Sequence, residues 1–339
     1  MISATQYSDV AQCIRDAAVR LSPAAVHAIE EIRKGGNSRV FRVRTADGDF
    51  ALKKYPSADD RDRQGAEKRA LEFFERVGPL STPRLISSDS VERISLLSWI
   101  EGRGIDNLID AEVKEFANFQ IQLACLADGQ AQSEIGPAAE ACVSGKRILA
   151  QTRARFDRLA CVRDSIGDLA EFLDGALRPA LDRFERVARQ IYADLDIDFD
   201  SDLPRDVQIL IASDYGAHNA LRGDNGRLWF MDFEYFGWDD PITSVGNFIF
   251  HPGMRLSRVQ QEIYLNRVID HFGNSTRRRM KALLPLIALR WCAIMLGDFL
   301  PERWAHRLAA NPDSTDWEAA RRAQIDKARR LFEDCNLCW

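Results

Sequence analysis

A change of pattern at Gly102 limits what this chain can fold into. Before it, short runs of strand-forming residues follow one another: VHAIEEIRK at 26–34, RVFRVRTA at 39–46 and DFALKKY at 49–55. Gly35-Gly36-Asn37 and Asp47-Gly48 separate them, and such residues favour tight turns between antiparallel neighbours. RDRQGAEKRALEFFERVG at 61–78 then places Ala66, Ala70, Leu71, Phe73, Phe74 and Val77 at helical spacing, and Gly78-Pro79 stops it. PRLISSD and RISLLSWI add two strands, and an amphipathic helix over 5–21 precedes everything. The expectation is a five-stranded antiparallel sheet with one inserted helix.

Beyond Gly102 helical patterns dominate, at about 110–130, 145–160, 166–194, 256–273, 277–299 and 316–334. Only VQILIA at 207–212 and RLWFMDF at 227–233 read as strands, with Asp224-Asn225-Gly226 as the turn joining them. The fold class expected is α+β in two lobes: a small antiparallel β N-lobe over 1–101 and a large, mostly helical C-lobe over 102–339. A cleft between lobes is where ligands are expected.

Charge and cysteine usage narrow the function. The chain has 339 residues, with 46 basic against 51 acidic and a net charge of -5, which argues against nucleic-acid or membrane partners. The N-terminus lacks the apolar run of a signal peptide. The longest apolar run, Ala282 to Leu296, is broken by Pro285 and Arg290 and reads as too short to span a bilayer. Seven scattered cysteines fit a reducing cytoplasm, and the lone Cys335-x-x-Cys338 reads as free thiols at the end of the chain. The protein is expected to be cytoplasmic, as a monomer or homodimer.

Chemistry enters in three places. KGGNSRVFRV sets two glycines between strands, where backbone N–H groups can approach a polyanion closely; the same residues also make an ordinary hairpin turn. FALKKY carries Lys53, able to reach the phosphates of a nucleotide, and Lys54 on the opposite face. A glutamate on the 61–78 helix would fix the lysine head; Glu67 leads the apolar stripe of Leu71 and Phe74, with Glu72 the competitor. SDYGAHN and FMDFEYFGWDDP place Asp214, Asn219 and Asp232 beside apolar strands. Asn219 and Asp232 offer hard oxygen ligands for Mg2+, and Asp214 remains to orient and deprotonate an attacking hydroxyl.

Over roughly residues 25–300 these motifs resemble the aminoglycoside phosphotransferase and choline kinase-like family, which shares the protein-kinase fold. The resemblance implies ATP or GTP held between lobes near Gly35, Gly36, Asn37 and Ser38, with Lys53 on the α- and β-phosphates and Glu67 its partner. It implies Trp99 to Gly102, with Glu101, as the hinge meeting the base, Asp214 as catalytic base, and Asn219 and Asp232 as Mg2+ ligands. The chain departs from the family pattern at Ala212 and Ser213, before the base. It departs again at Gly216, where a basic residue is usual while His218 follows, and at Ser244-Val245-Gly246-Asn247, where a further acid is usual. DFEY with the later Gly-Asn resembles choline and ethanolamine kinases.

Asp240 follows Asp232 by eight residues and a helix begins, so no protein-kinase activation segment fits and the acceptor should be a small hydroxyl compound. Glu234, Tyr235, Trp238, Asp239, Trp291 and Asp298 are candidate acceptor residues, alongside Phe236, Asp240, Glu302 and Trp304. Acids with aromatics suit an amine or a sugar alike. A non-catalytic nucleotide-binding protein, a choline/ethanolamine-type kinase and a fructosamine-type repair kinase remain as alternatives.

Overall fold

The computed structural model describes residues 11–32, 38–56, 61–78, 80–127, 129–162, 167–310 and 316–338. Helix α1 (Gln12–Leu21) leads into strands β1 (Val26–Ile32), β2 (Arg39–Thr45), β3 (Gly48–Lys54), β4 (Leu85–Asp89) and β5 (Ile94–Ser98), with α2 (Arg63–Val77) inserted after β3. The five strands form one antiparallel sheet in the order β1-β2-β3-β5-β4. One face is apolar: Ile29, Phe41, Val43, Leu52, Ile94 and Leu96 cluster with Ile14, Ala17 and Ala18 of α1.

The period of two along β3 then decides the site. Leu52 joins the α1 cluster, so Lys53 must face the opposite side, where it pairs in register with Val40 and Ser95. Helix α2 lies on that side. Asp62 caps its N-terminus by accepting from Gly65 N (3.0 Å), and Gly78, at φ 119, ends it. Its apolar stripe belongs to the larger core, where Phe74 meets Phe233 at 4.9 Å and Phe236 at 5.2 Å edge to face.

The C-terminal part is built on α9 (Arg258–Met295), against which α3 (Asp110–Leu126), α5 (Gly145–Ala160), α7 (Arg178–Asp194), α8 (Pro241–Phe250) and α11 (Trp317–Cys338) pack. The break expected between 273 and 277 is present as a kink at Gly273, whose φ of 83 leaves the helical region. Arg258–Phe299 is long and apolar enough to cross a membrane, but 78% of its most apolar window is buried inside the fold, as in a core helix. The pattern read over 110–130 divides into α3 and α4 (Gly129–Glu134). That over 166–194 divides into α6 (Gly167–Phe172) and α7 through a π turn at Leu173–Leu177, beside Pro179, which lacks the N–H a regular ladder needs.

Short strands in this part correct one expectation. The turn at 224–226 joins β8 (Ala220–Arg222) to β9 (Leu228–Phe230), whereas β7 (Ile209–Ile211) pairs with β10 (Gly237–Asp239). β6 (Arg103–Gly104) extends the β8–β9 pair. Segments of three residues or fewer carry too little periodicity to be read from sequence. α10 (Pro301–Ala310) was also missed.

Candidate active site

Lys53 is buried, and its ammonium meets three carboxylates: Glu67 at 2.7 Å, Asp232 at 2.9 Å and Glu234 at 2.9 Å. Burial alone would lower its pKa, but Asp232, Glu67 and Glu234 hold it well above the usual lysine value. Lys54 points the other way and donates to Glu92 O. Glu67, from the buried face of α2, also accepts from Tyr55 Oη (2.6 Å) and Phe233 N (3.1 Å). Glu72 lies on the exposed face beside Lys68, which removes it as the competitor.

Asp232 sits at φ 67, a conformation that aspartate tolerates better than most residues. Burial, and then repulsion from Glu234 and Glu67, outweigh Lys53 and push its carboxyl up to about 6. Glu234 accepts from Ser38 Oγ and from Arg63 (2.8 Å), and although buried it is held below its ordinary range by Lys53, Ser38 and Arg63. Glu67, Asp232 and Glu234 bring a ligand oxygen each within 4.8 Å of one another.

The second half of the site is a tight loop after β7. Asp214 N donates to Ala212 O (2.9 Å) across Ser213, which is forced to φ 62. Asn219 Nδ2 donates to Asp214 O (2.9 Å), so its amide oxygen is left as an acceptor. His218 Nε2 lies 2.9 Å from Asp214 Oδ1. Burial alone would raise the Asp214 carboxyl, but His218, His251 and Asn219 hold it below its ordinary value. An ionised Asp214 only accepts, so His218 Nε2 carries the proton of that bond.

His251 stacks on His218 at 4.3 Å and accepts from Gly253 N through Nδ1 (3.1 Å). Burial, then repulsion from His218, lowers its pKa to about 4, so the ring is neutral. Gly216 makes this stack possible: a Cβ there would lie 2.9 Å from the His218 ring and 2.8 Å from Met254 Sδ. Trp291 completes the wall, edge to face with His251 at 5.1 Å.

The arrangement joins a lysine–glutamate pair, a partly exposed carboxylate and an ionised aspartate in a second loop. The model of the phosphotransferase enzyme family matches residues 28–283, more than half of the chain. The chain belongs to that family. No curated protein matches it. Among solved structures it is similar to choline kinase LicA from Streptococcus pneumoniae, at 16% identity and a TM-score of 0.58, covering 95% of this chain and 98% of that one. Spectinomycin phosphotransferase APH(9)-Ia, in complex with ADP and spectinomycin, aligns at 12% identity and 0.61 over 96% and 98%. Macrolide 2'-phosphotransferase MphH from Brachybacterium faecium aligns at 18% and 0.57 over 94% and 98%. The fold is therefore kinase-like, and the chain is a phosphotransferase of this family.

Within this phosphotransferase, the other expected residues fall at different places. Gly35, Gly36 and Asn37 lie outside the described residues. At the expected hinge, Arg42 stacks on Trp99 (4.4 Å) and pairs with the exposed Glu101 (2.6 Å); the Trp99 indole nitrogen is buried without a partner among the described residues. Tyr235 receives Arg63 at its hydroxyl (2.6 Å) and lines a cavity of about 230 Å³ with Arg61, Ala66, Arg69, Pro137 and Phe236.

Four acceptor candidates are engaged with partners in the fold. Trp238 is core, with its indole N–H on Ala131 O (3.3 Å). Asp239 is fully enclosed and accepts from Cys142 N (2.8 Å) and Asp240 N (2.7 Å), while burial pushes its carboxyl up to about 7. Asp298 pairs with Arg307 and Gln324, tying the turn at Leu296–Phe299 to the C-terminal helices. Glu234 serves the Lys53 cluster. Asp240 is the cap of α8 and pairs with Arg279, Glu302 pairs with Arg158 on the surface, and Trp304 stacks on Trp317. Cys335 is buried on α11. Sequence reasoning missed Tyr55, Arg63 and His251, and it noted Asn247 only as a departure from the family pattern without a role. Only Tyr55 had a signal, being two residues from Lys53 on one strand face.

Proposed function

We propose that this enzyme transfers the γ-phosphate of ATP or GTP, with Mg2+, to a hydroxyl of a small molecule, with a sugar-type hydroxyl as the preferred acceptor. The observation that carries the reading is the convergence of Lys53, Glu67 and Asp232 from separate elements, with the ionised Asp214 in the neighbouring loop. That the LicA structure is described in complex with AMP, and the spectinomycin enzyme with ADP, supports a nucleotide in the corresponding cleft. The lobes would divide at Glu101–Gly102. Gly102 supports this, since a Cβ there would meet Leu221 Cβ at 2.9 Å, so the connector runs close against β8.

Asp232 and the free amide oxygen of Asn219 fit a hard divalent cation, as does the excess of carboxylate around Lys53. When bound, the metal would neutralise phosphate charge. Lys53 would hold phosphate oxygens, with Glu67 and Tyr55 fixing its head. Asp214 would orient the acceptor hydroxyl and take its proton, with one oxygen anchored by His218 and the other left for the acceptor. His251 and Trp291 would wall the acceptor.

The acids offered for a cationic acceptor are engaged elsewhere: Asp239 in the core, Asp298 and Glu302 with arginines, Glu234 with Lys53 and Arg63. With those acids engaged, the aromatic and imidazole wall beside Asp214 is left to stack on the face of a sugar ring, and it is this lack of a free acid that favours a sugar over an amine. A cytoplasmic location accords with this supply of nucleotide. The test is a panel of sugars, amino alcohols and aminoglycosides assayed for nucleotide consumption with ATP and with GTP. Selective turnover of amino alcohols or aminoglycosides would overturn the acceptor assignment. Tight nucleotide binding with transfer to none would replace the reading by a non-catalytic nucleotide-binding protein.

A further inference from the structure

We propose that Asn247 is a positioning residue that holds the strained turn before Asp214 in its working shape. This rests on the reading of Asp214 as catalytic base. Ser213 is the centre of a three-residue turn closed by Asp214 N on Ala212 O (2.9 Å), at a positive φ of 62 that a non-glycine residue adopts only when its surroundings impose it. Its hydroxyl contributes nothing to that restraint, being buried without a hydrogen-bond partner among the described residues. The restraint comes from α8: Asn247 Nδ2 donates to Ser213 O (3.3 Å).

Asn247 is itself fixed. Its Oδ1 accepts from Arg290 Nη2 (2.7 Å) and from Trp291 Nε1 (3.2 Å), so its amide orientation is settled by two donors from α9. Arg290 is buried, and its second terminal nitrogen, Nη1, is held by Cys142 Sγ (3.1 Å) and Gln151 Oε1 (3.0 Å). Ser244, one turn earlier on α8, turns away to Gln120 Oε1 (2.6 Å), and so leaves the loop to Asn247. The contacts close a ring around Asp214. His218 holds its carboxylate, His251 stacks on His218, Trp291 meets His251, and Asn247 joins Trp291 to the carbonyl preceding Asp214. A carboxylate gripped at its head and at its backbone is held within the small tolerance that phosphoryl transfer allows.

The variant Asn247→Asp separates this role from a packing role. It keeps an acceptor for Arg290 and Trp291, but sets an oxygen instead of a donor against Ser213 O. The expected result is a fall in kcat of roughly 10–100-fold, with ATP–Mg affinity within about twofold of wild type. In the unliganded protein, amide hydrogen exchange should accelerate at 214–219 and stay unchanged in α9. Adding Ser213→Gly should recover part of the lost kcat, because glycine adopts the turn without restraint. Wild-type kcat and exchange in N247D would overturn the proposal. So would an equal loss of nucleotide affinity and turnover, or a double variant as slow as N247D. If the wild-type protein turns over no nucleotide, the catalytic reading fails, while the exchange measurement still decides whether Asn247 restrains the loop.

Discussion

Replacing Asp214 by asparagine isolates one proton. Three features of the loop should survive. Asn219 bonds the backbone oxygen of residue 214, the turn across Ser213 is a backbone bond, and an asparagine Oδ1 can still accept from His218 Nε2. The His218 bond changes from charge-assisted to neutral, a loss of about 1 kcal/mol. Relief of burying a carboxylate offsets part of it, since desolvation is the largest influence on this group. The fold and the affinity for ATP–Mg should therefore hold, because Lys53, Asn219 and Asp232 are untouched. The chemistry should not. General-base assistance is worth roughly 10²–10⁴ in rate, which is about 3–5 kcal/mol of barrier. The assay pairs calorimetric titration of ATP–Mg with single-turnover transfer to the acceptor that the panel yields. Transfer by D214N at the wild-type rate would remove Asp214 from the mechanism; loss of nucleotide binding would make it structural.

The other predictions address the neighbouring charges. Lys53→Ala should weaken ATP–Mg binding at least tenfold, as loss of a charged hydrogen bond of about 1.5–3 kcal/mol implies. Lys54→Ala should leave it unchanged, because Lys54 faces Glu92; the reverse outcome in titration calorimetry would refute the register. Asp232→Asn should abolish turnover yet leave the unliganded melting temperature equal or slightly higher, since it removes a carboxyl raised to about 6 by its neighbours and asparagine tolerates φ 67. A large drop in melting temperature would show Asp232 to be structural. His251 has a folded pKa of about 4, below its unfolded value of about 6.5. The unfolded chain therefore takes up the proton first, and stability contributed above pH 6.5 should be lost as pH falls towards 4. The loss is about 1–2 kcal/mol by pH 5. Denaturant unfolding at pH 7 and 5 should show this fall in wild type and a smaller one in His251→Gln.

What the sequence revealed and what it hid divide along a physical line. Lys53 rather than Lys54, and Glu67 rather than Glu72, follow from periods of 2 and 3.6 once one apolar face is recognised, and both choices agree with the geometry. Asp214, Asn219 and Asp232 stood out because each follows or ends an apolar strand within a short stretch. Whether an acid or a tryptophan lines a pocket depends instead on partners distant in sequence. Asp239 is enclosed by Cys142, and Trp238 by Ala131 and Arg205, over separations that no local pattern encodes. His251 and the role of Asn247 were hidden for the same reason: each acquires its place by meeting a loop more than thirty residues earlier.

The charge balance at Lys53 links these residues to the expected ligand. Among the described residues, three carboxylates, Glu67, Asp232 and Glu234, face two cations, Lys53 and Arg63, so these five groups carry one negative charge in excess when ionised. A buried excess charge is costly, and the structure distributes that cost unevenly. Glu234 has Ser38, Arg63 and Lys53 and remains ionised below its usual range. Glu67 has Lys53, Tyr55 and a backbone N–H. Asp232 has Lys53 alone among these donors, and its carboxyl is raised. It is also more exposed than the other two, with a side chain 36% accessible against 1% and 2%. The least satisfied carboxylate is thus the one open to an incoming cation, and the two enclosed ones hold the lysine. Converting Glu234 to glutamine would remove the excess charge without touching Asp232. The Asp232 carboxyl should then fall towards its ordinary value, and divalent-cation affinity should fall with the lost negative charge.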